Sequence, residues 1–199
     1  DAEATAYTVQ PNAVAGDLKF IDHNNDGRIN DEDRVTVGSA FPDITYAFNA
    51  DLNYKNFDMR IFLQGVSGSS AYNGFKLTTV YPNQSSVSPE ANLSADAIDT
   101  WSPTNTGSSN FRLGGAGDNL RPSDFWIEDT SYLRLKNVTV GYTFPELKGI
   151  SRLRIYAAGE NLFTITDYSG LDPEVANRGL DGGQYPLATT FTIGLNVGF

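Results

Sequence analysis

In the last dozen positions of the chain apolar residues fall at every second place. Phe191, Ile193, Leu195, Val197 and Phe199 alternate with Thr192, Gly194, Asn196 and Gly198. Successive side chains of an extended strand point to opposite faces, so the pattern predicts a strand over 188–199, apolar on one side and small or polar on the other. The same alternation puts Ile44, Tyr46, Phe48, Ala50, Leu52 and Tyr54 on one face of a strand over 42–55, opposed by Thr45, Ala47, Asn49, Asp51 and Asn53. After Lys55-Asn56 it resumes over 57–69 with Phe57, Met59, Ile61 and Leu63, opposed by Asp58, Arg60 and Gln64, which predicts a tight hairpin. A second pair is expected over 131–143 and 152–163. In the first of these, Leu133 and Leu135 are out of phase with Val138, Val140 and Tyr142. One extra residue near Lys136-Asn137, a β-bulge, restores the face.

A strand apolar on one side and polar on the other suits two architectures: a wall with lipid outside and water inside, or a β-sandwich. The connections separate them. Lys55-Asn56 and the segment 144–151 are short, whereas 1–41, 70–130 and 164–188 are long and rich in Gly, Pro, Ser, Asn and Asp. Long loops at one end and short turns at the other are the mark of outer-membrane barrels, the long ones lying outside the cell. A final strand ending on Phe199 also resembles the terminal signal strand of such barrels. If Phe199 lies at the periplasmic end, every long loop falls on the extracellular side. Five strands cannot close a barrel, and open edges in lipid leave unpaired backbone groups costing several kcal/mol each. The expectation is therefore all-β: the last five antiparallel strands of a large transmembrane β-barrel, the C-terminal part of a longer protein. Residues 1–41 are read as an extracellular loop, 42–199 as the final strands and loops, with no internal domain boundary. Asp1-Ala2-Glu3 carries no leader signature, which reads as a mature chain, a processed piece or the tail of something longer.

Composition narrows the function. The formal net charge of −10 leaves no basic stripe for phosphates, so nucleic acid is not an expected partner. The absence of cysteine removes disulfides and thiolate metal sites, and a single histidine leaves little for imidazole catalysis. No run of 18 apolar residues predicts a membrane helix. Neither a Gly-x-Ser-x-Gly nor a His-Glu-x-x-His motif stands out, and the clustered acids have a better account than a glycosidase pair, so the chain is not read as an enzyme.

That account is the run from Asp22 to Asp33. It fits the twelve-residue calcium loop, with oxygen side chains of Asp22, Asn24, Asp26, Asn30 and Asp33 at positions 1, 3, 5, 9 and 12. Gly27 supplies the sharp turn and Arg28 its backbone carbonyl. Asp33 replaces the usual glutamate and shortens the reach. No flanking helices are evident, so calcium is expected as a structural brace of a long loop, effective at extracellular calcium levels.

Taken together, ordered phrases resemble the C-terminal part of the SusC/RagA-type TonB-dependent outer-membrane transporters. Gly16-Asp17-Leu18-Lys19-Phe20 precedes the calcium-like loop, followed by Phe41-Pro42-Asp43-Ile44-Thr45-Tyr46 and Asn56-Phe57-Asp58. Trp101-Ser102-Pro103-Thr104-Asn105, Ser131-Tyr132-Leu133-Arg134-Leu135-Lys136-Asn137-Val138 and Asn161-Leu162-Phe163-Thr164 come next. Gly170-Leu171-Asp172-Pro173-Glu174 and Tyr185-Pro186-Leu187 are last. The resemblance implies a barrel of about 22 strands, closed by an N-terminal plug on which TonB pulls. It implies import of oligosaccharides or oligopeptides held beneath a SusD-like surface lipoprotein. The partners implied are the rest of the barrel and its plug, that lipoprotein, the TonB complex, outer-membrane lipid and a glycan or peptide substrate.

Trp101, Tyr72, Phe75, Tyr81 and Phe111, in or beside the loop over 70–130, are candidate substrate contacts because exposed aromatic faces stack on sugar rings. Packing of the loop is the competing role, and for Trp126 a place in an aromatic girdle. Asp51, Asn53, Arg60, Gln64, Arg134 and Lys136 are expected on the lumen face as solvated lining that meets the plug. The rival reading is a secreted, calcium-stabilised β-sandwich binding carbohydrate or a partner protein.

Overall fold

The computed structural model describes residues 7–81, 92–114, 117–145, 148–174 and 179–199. In chain order its strands are β1 (Ile44–Tyr54), β2 (Phe57–Ser67), β3 (Ser70–Asn73), β4 (Ile127–Asp129), β5 (Tyr132–Thr143), β6 (Arg152–Thr166), β7 (Leu180–Asp181) and β8 (Thr190–Gly198). One α-helix is present among the described residues, α1 (Gly74–Val80), directly after β3. The five long strands form one antiparallel sheet in the order β1-β2-β5-β6-β8, and β4-β3-β7 form a second, small sheet.

Register explains why the long strands share one apolar face. Leu52 lies opposite Met59, Met59 opposite Val140, Val140 opposite Ala157, and Ala157 opposite Ile193, a single row across all five strands. One residue along, Asp51, Arg60, Thr139, Ala158 and Thr192 form the matching row on the other face. The bulge falls where the phase of the leucines places it. Pairing steps from Leu135 to Asn137 on β5 and from Phe163 to Glu160 on β6, where Asn161 adopts a left-handed φ of 51°. Leu133 and Leu135 thereby join Val138, Val140 and Tyr142. On the polar face the Tyr156 ring lies flat over Gly194, where a Cβ would come within 2.2 Å of the ring carbon Cζ. Glycine is thus required for close approach rather than for its backbone freedom.

The ends of the sheet differ as the connections predict. Lys55-Asn56 and the segment after Thr143 join strands at one end, while all the long connections leave from the other. Glu146 and Leu147 of the second short turn, like Asp1-Ala2-Glu3, lie outside the described residues.

Two expectations need correction. The chain is not purely β: α1 sits inside the long loop after β2, its first turn capped by the Asn73 side chain, which accepts from the Lys76 amide at 2.8 Å. And β6 runs to Thr166 rather than Phe163, because β5 continues to offer partners as far as Tyr132.

The chain divides into two compact units, Asp1–Val37 with Asn73–Ile127, and Gly38–Tyr72 with Glu128–Phe199. In the first, two stretches far apart in sequence are joined by Asp17. Its carboxylate accepts from Arg112 at 2.6 Å and from Asn119 at 2.8 Å. Burial pushes the Asp17 pKa up, but the Arg112 guanidinium, the Val14 amide and Asn119 outweigh it and hold the group below the usual carboxylate range. In the same unit Tyr81 and Phe111 stack at 3.9 Å with Trp126 edge-on to both, a buried aromatic core. The second unit contains the large sheet.

Candidate functional site

The polar face of the large sheet is hollowed at its short-turn end into a cavity of about 710 Å³. Lys55, Arg60, Arg152 and Arg154 line it together with Asp51 and Asp58. Arg60 reaches Asp51 at 2.6 Å, and Arg154 bridges two strands to Asp58 at 2.9 Å. Four cations against two carboxylates give this hollow a local charge opposite to that of the chain as a whole. Asp51, Arg60 and Gln64 stand on this face as the alternation predicts, and Asn53 with them.

At the other end of the same face the expectation for Arg134 and Lys136 is corrected: they are not solvated lining. Arg134 donates to Asp172 at 2.6 Å, to Glu174 at 2.7 Å and to Thr164 at 2.7 Å, and Lys136 donates to Glu174 at 2.8 Å. The Arg134 and Asp172 side chains are 4% and 3% exposed. Asp172 also accepts from the amides of Glu174 and Leu187. Two phrases that are separate in sequence, the Arg134-Leu135-Lys136 stretch and Asp172-Pro173-Glu174, are therefore one cluster. The signal available beforehand was the pair of acids flanking a proline, a residue that fixes the backbone between them.

The five aromatic candidates do not converge. Tyr81 and Phe111 are buried in the aromatic core of the first unit, with Trp126, and present no free ring face there. Tyr72 on β3 and Phe75 on α1 are half-buried. Trp101 lines an open cavity, of about 440 Å³, with Tyr7, Gln10, Asp17 and Lys19. Its indole rests on Gly16, whose φ of 86° and lack of Cβ admit the ring; a Cβ there would lie 2.4 Å from Trp101 Cε3.

The Asp22 to Asp33 loop closes on its own oxygens. Asp22 accepts from the amides of Asp26 and Gly27, Asn24 from Asp26, and Asp26 from Arg28. Asp33 accepts from His23 and Asn30, and these amides hold its carboxyl below the usual range. Gly27 makes the turn at φ 81°. Among the described residues no three His, Cys, Asp or Glu side chains gather as a metal cluster. The oxygens this loop carries, from carboxylates, side-chain amides and the backbone, are of the hard kind that calcium accepts.

Comparison with known proteins fits this geometry. No family model matches the chain. TonB-dependent receptor P3 of Formosa agariphila is 39% identical over 212 aligned positions, spanning 99% of this chain and 20% of the relative. TonB-dependent receptor SusC of Bacteroides thetaiotaomicron is 34% identical over 186, spanning 90% of this chain and 17% of the relative. The RagAB peptide transporter structure superposes with a TM-score of 0.68 at 24% identity, over 80% of this chain and 17% of that one. The RagAB peptide importer in its closed-closed state gives 0.67. The chain thus spans about a fifth of the curated relatives' length. With its two-faced five-stranded sheet, sorted turns and sequence likeness to these receptors, the chain belongs to the SusC/RagA-type TonB-dependent transporters.

Proposed function

We propose that the chain forms part of the barrel wall of an outer-membrane importer that takes up oligosaccharides or oligopeptides, working with a SusD-like surface lipoprotein and driven by TonB through a plug. The observation that carries this is the bare apolar face. Phe48, Phe191 and Ile193 are 60%, 77% and 84% exposed, in a row pattern shared by all five strands. A sandwich buries such a face against a second sheet; a barrel turns it to lipid. The long connections then lie outside the cell, the polar face lines the lumen, and the cationic hollow near Lys55 and Arg154 meets the plug. Among the aromatic candidates the cavity beside Trp101 favours that residue for substrate contact. RagAB is described as a peptide importer, which favours peptide among the two substrate classes.

Fractionating cells that express the full-length protein tests the reading. The protein is expected only in the outer membrane, extractable by mild detergent as an assembly far larger than 21.6 kDa. Recovery as a soluble species folded without detergent sinks it. Growth of a deletion strain on defined oligosaccharides or on peptides as sole nutrient then separates the two substrate classes.

Calcium belongs to the same proposal. Asp22, Asn24, Asp26, Asn30 and Asp33 with the Arg28 carbonyl would hold the ion, which would brace the first long loop. Affinity in the range of extracellular modules, roughly 10⁻⁴–10⁻³ M, is expected. Millimolar calcium should slow protease cleavage between 22 and 33 in the full-length protein, and Asp26→Ala should remove that protection. Equal cleavage with calcium and with chelator argues against an ion.

A further inference from the structure

At the short-turn end of the apolar face the aromatic rings lie in a line, and that line does not follow the rows of paired residues. Tyr54 lies opposite Phe57, Phe57 opposite Tyr142, Tyr142 opposite Ile155 and Ile155 opposite Leu195, one row across the sheet. Rings fill that row on β1, β2 and β5, and aliphatic side chains fill it on β6 and β8. Phe57 and Tyr142 meet at 4.7 Å, and Phe144, two places on, meets Tyr142 edge-on at 4.9 Å. On β8 the ring comes later still: Phe199, four places past Leu195, continues the alternation and is 95% exposed. The next row toward the long connections, Leu52, Met59, Val140, Ala157 and Ile193, carries no ring. Directly after Tyr54 the turn begins with Lys55, whose ammonium stands 5.3 Å from the centre of the Tyr54 ring.

We propose that this line is the border at which the wall passes from inner-leaflet hydrocarbon into phospholipid headgroups, running obliquely from Tyr54 and Phe57 through Phe144 to Phe199. This rests on the barrel reading, which supplies lipid on the apolar face. Aromatic rings gather where hydrocarbon meets headgroups, and Lys55 sets a cation beside the border, where anionic lipid phosphates lie. The slope carries the argument. From β2 to β8 there are three strand spacings, in the order β2-β5-β6-β8, about 14 Å across. From Leu195, level with Phe57 in register, to Phe199 is four residues, about 14 Å along the strand. A border that drops as far as it moves sideways crosses the strands at about 45°, the tilt of an outer-membrane barrel wall. At that tilt β1, from Ile44 to Tyr54 about 34 Å long, rises about 24 Å, close to the ~25 Å apolar band of such barrels. The girdle place expected for Trp126, which is buried in the aromatic core, thus falls to these rings.

The test exploits two residues of one row that the slope sets at different depths. Phe57 lies on the border, whereas Leu195 lies about 10 Å deeper in the hydrocarbon. Full-length transporter, with any other cysteine replaced by serine, carries Phe57→Cys or Leu195→Cys and a bimane fluorophore on that cysteine. Each protein is reconstituted into phosphatidylcholine vesicles bearing a nitroxide quencher either on the headgroup or midway along the acyl chain, and heat-modifiable gel mobility shows that it is folded. The ratio of mid-chain to headgroup quenching is expected to be about fivefold higher at 195 than at 57. Tyr54→Cys repeats the border measurement on β1 and should match Phe57→Cys. Equal ratios at 57 and 195 mean that the border follows the rows and overturn the proposal, as does a label at 57 that neither lipid quenches. A label at 195 that neither lipid quenches defeats the barrel reading itself, whatever happens at 57.

Discussion

Ile193→Arg is expected to prevent assembly of the wall, whereas Thr192→Arg, its immediate neighbour, leaves the protein folded in the outer membrane. Both residues lie on β8, paired with Ala157 and Ala158 of β6, and differ only in the face they occupy. Ile193 is 84% exposed on the apolar side near the middle of its strand. A guanidinium placed toward the bilayer midplane costs about 2–4 kcal/mol, a large fraction of a typical folding free energy. Thr192 faces the polar side, where an added charge is solvated and changes stability by only about 0.5 kcal/mol. The measurement is the amount of heat-modifiable protein in outer-membrane fractions for each variant. Equal loss, or equal tolerance, contradicts the two-faced wall.

The second large effect is expected at Arg134. Arg134→Met leaves Asp172 buried without its counter-ion, and breaking one partner of a buried pair costs about 3–5 kcal/mol. Arg60→Met removes an equally short contact, but the Arg60–Asp51 pair is solvated, with side chains 66% and 57% exposed, so the loss should stay within about 1 kcal/mol. Pairing Arg134→Met with Asp172→Leu should recover part of the loss, because no lone charge remains. Unfolding midpoints in detergent micelles, compared across the four proteins, check the order. The pH dependence has a definite sign. Burial raises the Asp172 pKa, but the Arg134 guanidinium and the amides of Glu174 and Leu187 more than compensate, leaving it below its ordinary value of 3.8. The stabilisation is thus complete above that value and lost only as the pH falls below it, through the depressed folded-state pKa. At neutral and mildly acid pH the cluster stays closed, which marks it as an anchor and not a proton-operated switch.

The large sheet was legible because its rule is local. Period-2 alternation needs only the next few residues, and the phase slip between Leu135 and Val138 exposed even the bulge. The sorting of short and long connections followed from counting. What alternation cannot reveal is which loops meet. Asp17 and Arg112 are 95 positions apart and neither sits in a periodic pattern, so nothing in the chain announces their ion pair. For the same reason Tyr81 and Phe111 read as candidate sugar platforms when they are packing partners: aromatic content signals a contact, not its occupant. Helix α1 escaped because seven residues are too few to display a 3.6 period, and its capping asparagine has many other uses in a loop. Arg134 was correctly placed on its face but its partner was not, since Asp172 lies 38 positions on, across a hairpin and a loop.

The bulge beside Lys136 also governs how this protein can change in length. Each strand keeps its apolar side on one face only if residues enter or leave it in pairs, and the bulge is the one place on β5 where an odd count has been absorbed. Removing Lys136 alone would turn everything from Asn137 to Thr143 inside out. The connections at the far end obey no such arithmetic. The alignment with receptor P3 is longer than this chain, so that relative carries additional residues. Parity favours odd-numbered insertions in the long connections, so descent can rewrite that end of the sheet while the strands beneath it keep their measure.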